Sequence, residues 1–261
     1  MSPETSCPVD EVSVFSVAQA VAIFNQILDA AVPLVEVVGE VANFKVNQGK
    51  WVFFDLKDQE CLLSCFMPVY QLRAAVEDGM QVQVLARPNV TKWGKFSLTV
   101  QSIRPVGKGS IKKSFELLRQ KLAGEGLFDD ERKRTLPYLP QHIGVISSVD
   151  AAGYRDFIKI ITARLGGLRI DIISTLVQGA EAPDQIIAAI RQFNQLADPP
   201  EVLAIIRGGG SRDDLVAFDD ERLVRTIAAS RIPTIVGVGH EIDTTLADLV
   251  ADQRASTPSN A

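Results

Sequence analysis

Apolar and polar residues follow two rhythms along this chain, and the change falls near residue 140. The first rhythm opens with a helical period: Val17, Ala20, Phe24, Ile27 and Leu28 recur at spacings that share one helix face. Ser16, with Gln19 three residues on, is a capping-box sequence ahead of them, and Pro33 ends the element. Five strand-like runs follow, at 34–44, 50–57, 61–66, 80–87 and 95–103. In most of them Val, Phe, Trp and Leu alternate with polar residues. Asn47-Gln48-Gly49, Asp58-Gln59 and Lys92-Trp93-Gly94 supply the turns. A short helical stretch over 69–76 lies between the third and fourth runs. Five strands with a helix in that slot predict a small Greek-key OB-fold barrel.

In the second rhythm the strands become near-continuous apolar runs, at 143–147, 168–174, 201–207 and 233–238. They alternate with helical segments at 152–165, 183–197, 219–230 and 243–252. Apolar runs in that alternation predict a parallel sheet covered by helices on both faces. A helix over 111–122, with Ile111, Phe115, Leu118 and Leu122 on one face, bridges the two patterns. The expected architecture is multi-domain. An all-β OB-fold barrel with its N-terminal helix occupies 1–105, a basic linker helix and loop occupies 106–140, and an α/β parallel-sheet domain occupies 141–261.

Composition narrows the chemistry. Hydrophobic residues make up 46 % and charged residues 23 %, the balance of a globular chain rather than a disordered one. Cys7, Cys61 and Cys65 are too few for a disulfide scaffold and point to a reducing compartment. With only His142 and His240, a His-rich metal centre is excluded. The first residues lack the basic and apolar regions of a signal peptide, and no apolar run reaches the roughly 18 residues of a membrane span. A soluble, cytoplasmic protein without membrane contact is expected. The net charge of −5 is unevenly spread: residues 104–134 carry 9 basic and 5 acidic side chains, between two acidic lobes. That basic bridge is either a phosphate-facing surface or a solvated linker helix.

Two sets of residues carry chemistry. On the barrel, Phe44, Trp51, Phe53, Trp93 and Phe96 fall on or beside strands, among Lys45, Lys50, Lys57, Lys92 and Lys95. Aromatic platforms between lysines hold single strands by stacking bases and pairing phosphates. The alternative is that Phe44, Phe53 and Phe96 fill the core, whereas Trp51 and Trp93, beside turns, are placed for exposure. In the second region ligands are expected beyond the carboxyl ends of the strands. There lie Ser147-Ser148 with Asp156 in the next helix, Val177-Gln178-Gly179, Arg207-Gly208-Gly209-Gly210-Ser211, and Gly239-His240-Glu241-Ile242-Asp243. Three glycines let the backbone approach a ligand and turn amides toward an anion, and Arg207 adds a guanidinium. The bland reading is a flexible turn. No Walker lysine follows, so ATP phosphotransfer is disfavoured. His240 can move a proton at neutral pH, with Asp243 three residues away. Asp213, Asp214, Asp219, Asp220 and Glu221 read as helix caps and a solvated face.

Together these residues resemble the large-subunit family of bacterial exodeoxyribonuclease VII. The segments that carry the likeness are Gly39-Glu40 through Lys45, Val52 through Asp58, Ile143 through Ser148, Val177-Gln178-Gly179, Arg207 through Ser211 with Ala217-Phe218, and Ile232-Pro233 through Asp243 to Ala247-Asp248 and Thr257-Pro258-Ser259. The resemblance implies a single-stranded-DNA-binding OB fold and an α/β domain that cuts DNA strands to oligonucleotides from either end. It implies a catalytic set of Asp156, Arg207, His240 and Asp243, beside the loop of Gly208, Gly209, Gly210 and Ser211 that its own residues mark for phosphate binding. It also implies hydrolysis without a required metal, although Mg²⁺ held through waters stays possible. Several copies of a small partner subunit are implied too, recruited by a helical region expected beyond Ala261. The chain departs from the family pattern at Asp150-Ala151-Ala152-Gly153, where a Thr-Gly-Ala-Ala-like turn is usual, and at Ile242, where Thr is usual. The alternative function is a nonenzymatic single-strand-binding protein whose α/β domain senses phosphate or nucleotide.

Overall fold

The computed structural model describes residues 14–164, 167–208, 212–238 and 244–255. Its contacts divide the chain into two units, 1–72 with 76–107, and 73–75 with 108–261.

The first unit begins with α1 (Val17–Ala31), closed by the expected capping box: Gln19 N–H donates to Ser16 Oγ at 3.2 Å, and Ser16 N–H to Gln19 Oε1 at 2.8 Å. Five strands follow: β1 (Val35–Asn47), β2 (Trp51–Lys57), β3 (Leu62–Pro68), β4 (Gln81–Val90) and β5 (Phe96–Pro105). They close into a barrel in the order β1-β2-β3-β5-β4, with β3 and β5 parallel and the other pairs antiparallel. The long β1 serves both neighbours, pairing with β4 through its first half and β2 through its second. A bulge between Ala42 and Lys45, with Asn43 at φ 55°, bends it between the two. At Gly39 a Cβ would stand 2.7 Å from Leu56 Cγ, so only glycine lets β1 lie this close to β2. Val52, Phe54, Leu56, Cys65, Met67, Val82, Val84 and Val100 fill the interior, following the strand alternation.

Two expectations for this unit need correction. Of the helix predicted over 69–76 only a 3-10 turn, Val69–Gln71, forms. The chain runs extended at Leu72, and residues 73–75 cluster with the second unit, so tertiary placement overrides local helix propensity. Of the apolar positions read on α1, only Ala20 and Leu28 are half-buried. Val17, Phe24 and Ile27 are exposed, and α1 is instead tied to β4 through Asn25, which accepts from Val90 N–H at 2.7 Å and donates to its carbonyl at 3.0 Å.

The second unit contains α2 (Lys108–Gly124), β6 (His142–Ser147), α3 (Ala152–Arg164), β7 (Arg169–Ser174), α4 (Ala182–Gln195), β8 (Val202–Ile206), α5 (Glu221–Ala228), β9 (Thr234–Gly237), α6 (Leu246–Val250) and β10 (Gln253–Arg254). The strands form a parallel sheet in the order β10-β9-β8-β6-β7. Ile143, Val145, Val202, Ala204 and Ile206 point to one face, where Phe157, Tyr154, Ile158 and Ile161 of α3 cover them. Ile146, Leu203, Ile205 and Val236 point to the other, under α4, α5, α6 and the Leu118 and Leu122 face of α2. Burial on both faces is what the continuous apolar runs require. The sequence did not signal the two-residue β10 or the 3-10 helix Arg212–Asp219, and α5 and α6 are shorter than expected. Among the described residues no helix is long and apolar enough to cross a membrane.

Candidate functional site

On the barrel, the alternation of β2 turns Trp51 and Phe53 outward while Val52, Phe54 and Leu56 go inward. Strand register then builds a row: Lys45 lies opposite Phe53, Phe53 opposite Phe66, and Phe66 opposite Thr99. The rings of Phe53 and Phe66 stack at 6.4 Å with planes 27° apart, and Trp51 stands 6.3 Å from Phe66. Trp51 and Phe53 are each 44 % exposed. Phe66, which extends this platform, was missed from the sequence, although the period-two pattern of β3 places it on the outer face. At the β4–β5 hairpin Trp93 is 80 % exposed, and Lys92 Nζ sits 5.2 Å over its ring. Phe96 is exposed beside it, together with Lys95. Strands two and three and the hairpin between strands four and five are where OB folds hold oligonucleotides. Phe44 is half-buried against Phe54 at 6.4 Å. Lys57 is engaged by Glu40, its register partner, at 3.0 Å.

In the second unit the strand order reverses at β6 and β8, and the carboxyl ends at such a switch point are where open α/β sheets form their ligand crevice. Arg207 and Gly208 follow β8 directly. Arg207 is 3 % exposed, and its N–H donates to Gly237 O at 3.2 Å. Gly208 lies against the start of α3: a Cβ there would stand 3.0 Å from Gly153 N. Asp156 occupies an exposed position on that same helix. The structure therefore places Arg207, Gly208 and the helix bearing Asp156 at one end of the sheet. Gly209, Gly210, Ser211, His240 and Asp243 lie outside the described residues. Ser147, at the end of β6, is fully buried.

The acidic residues after this loop do not behave alike. Asp220 caps α5 as expected, accepting from Arg222 N–H at 2.8 Å and Leu223 N–H at 3.3 Å. Glu221 pairs with Lys121 at 2.8 Å and Arg225 at 2.7 Å. Asp219 departs from the solvated face expected of it: it accepts from Leu246 N–H at 2.8 Å, and burial, with Asp248 nearby, pushes its carboxyl up to about 7. Among the described residues no three His, Cys, Asp or Glu side chains gather as a metal site would need. Part of the basic bridge is held internally, since Arg134 pairs with Asp252 at 2.8 Å and Lys121 with Glu221.

The family model for the exonuclease VII large subunit matches residues 127–261, and a model for an OB-fold nucleic acid binding domain matches 15–104. The exodeoxyribonuclease 7 large subunit of Clostridium acetobutylicum is 40 % identical over 230 residues, covering 87 % of this chain and 57 % of its own length. That of Thiobacillus denitrificans is 41 % identical over 265 residues, covering 100 % of this chain and 58 % of its own. The chain thus spans a little over half the length of these curated relatives.

Proposed function

Because the chain belongs to the family of exonuclease VII large subunits, we propose that it binds single-stranded DNA on its barrel and hydrolyses phosphodiester bonds on its α/β domain. It works inward from either end of the strand and releases oligonucleotides. The observation that carries this reading is the switch point at β6 and β8, where Arg207, Gly208 and the helix bearing Asp156 come to the same end of the sheet. Hydrolysis needs an activated water, stabilisation of charge on the phosphorus oxygens and a proton for the leaving oxygen. Arg207 with the amides of 208–210 serves the charge. His240 serves as general acid or base, and Asp243 and Asp156 orient it or the water. This division of labour needs no resident metal, since proton transfer and anion stabilisation both come from the chain. The working enzyme is a cytoplasmic assembly with several copies of a small subunit.

Full-length protein assembled with the small subunit and given end-labelled single-stranded DNA tests the reading. Cleavage should persist in excess EDTA and follow a group titrating near the ordinary histidine value of about 6.5. His240→Ala should abolish cleavage while leaving strand binding intact. Loss of activity on chelation, restored by Mg²⁺, would recast Asp156 and Asp243 as ligands. Binding without any cleavage would favour a nonenzymatic role.

A further inference from the structure

We propose that the Ser147 hydroxyl and the first turn of α3 form a subsite for the non-bridging oxygens of a phosphate, Ser147 being a substrate-contacting donor. The proposal rests on the phosphodiester reading above and adds a residue to it. Ser147 ends β6 and has 0 % of its surface exposed, and its Oγ has no hydrogen-bond partner among the described residues. A buried hydroxyl without a partner costs stability, and such exceptions are few in native folds. They are retained where function requires a group to stay available. Its position is specific. Val145 packs with the α3 layer and Ile146 with the opposite one, so alternation turns Ser147 toward α3.

That helix starts five residues later and is 13 residues long. Its first-turn amides have no intrahelical acceptor, and its dipole favours an anion there. Gly208, from the strand on the other side of the crevice, reaches the same turn at Gly153. The hydroxyl, the helix start and the glycine thus converge on the switch point of the sheet, where open α/β folds take ligands. Thr175 Oγ1 is also unpartnered, but it follows the edge strand β7, one strand removed from the crevice. A phosphodiester oxygen is a pure acceptor, which a hydroxyl donor and the amides of a helix start match without a further charge.

Ser147→Ala tests this with three measurements. Inorganic phosphate titrated into this chain, followed by amide NMR, should give saturable shifts over residues 148–154, with affinity about tenfold weaker or worse in the variant. Thermal denaturation should show the variant as stable as the parent or more so, because an unsatisfied hydroxyl is removed. In the full-length assembly kcat/KM on single-stranded DNA should fall about tenfold or more. Absence of shifts in the parent, or an unchanged phosphate response in the variant, overturns the proposal. So does a marked loss of stability with unaltered cleavage, which would mean that an internal water holds the hydroxyl for the fold. If the parent assembly does not cleave DNA but the phosphate response still depends on Ser147, the subsite stands and the nuclease reading falls.

Discussion

Phe66 and Trp93 show how a strand can be gripped by side chains the core does not need. Both project outward from the barrel shell, so Phe66→Ala or Trp93→Ala should weaken single-stranded DNA binding by about 1–3 kcal/mol while the melting temperature stays near the parent value. Phe54→Ala, from the interior, should instead cost about 3–5 kcal/mol of stability. Fluorescence titration with an oligonucleotide, beside thermal melts, separates the two behaviours. Residue identity made the tryptophans legible in the sequence, but the share of Phe53 and Phe66 depends on strand register, which composition does not carry. Asp219 was misread for a related reason: five acidic residues near one another look like a wet surface until the fold encloses some of them, as it does Asp219 and Asp220. Its carboxyl, ordinarily near 3.8, stands at about 7, so between these values the folded state binds a proton that the unfolded state releases. Its stabilising contribution is therefore present at low pH and is lost as pH rises through 7. Asp219→Asn keeps an acceptor for the Leu246 amide and removes the charge. The parent should lose about 1–3 kcal/mol from pH 5 to pH 8 relative to this variant, measured by denaturation at both values.

At the level of elements, strands were easier to read than their partners. β8 and β9 were located to within a residue or so because a strand buried on both faces is a continuous apolar run. β10 has two residues and no pattern of its own; it exists because Val236 O accepts from Ala255 N–H and because Asp252 fixes the chain before it. Asp252 accepts from Thr234 N–H at 2.7 Å, Thr234 Oγ1 at 2.9 Å, Arg134 N–H at 2.7 Å and the Arg134 guanidinium at 2.8 and 3.0 Å. Arg134 also donates to the Ser230 carbonyl. Burial pushes the Asp252 carboxyl up, but the Arg134 guanidinium and the amides outweigh it and hold the group below its ordinary value. Arg134 thus stitches the segment before β6 to the start of β9 and the approach to β10. Arg134→Ala leaves a buried carboxylate without its cation and should cost about 3–5 kcal/mol, read as a lower denaturation midpoint. Sequence charge alone placed Arg134 in a basic bridge, where its structural role was invisible.

For the whole molecule, a net charge of −5 and an affinity for nucleic acid are compatible because five of the eleven lysines, at positions 45, 50, 57, 92 and 95, stand beside the outward aromatics of the barrel. Lys45 and Lys95 are exposed, and Lys92 lies over Trp93. If these three meet phosphates, log affinity for single strands should fall against log salt with a slope of about −2. Replacing all three with alanine should flatten that line; an unchanged slope would move the phosphate contacts elsewhere. The rim of the α/β unit was legible as far as the topological rule reaches, because apolar strands announce where their carboxyl ends lie. What the sequence could not convey was spacing. A methyl group on Gly208 would stand only 3.0 Å from Gly153 N, so the strand that leads into Arg207 and the helix that carries Asp156 approach each other almost backbone to backbone. One hydrogen atom at position 208 acts as a gauge between them. A methyl group placed there would press on the first turn of that helix at 3.0 Å, a contact that the backbone on one side or the other has to ease by a few tenths of an ångström.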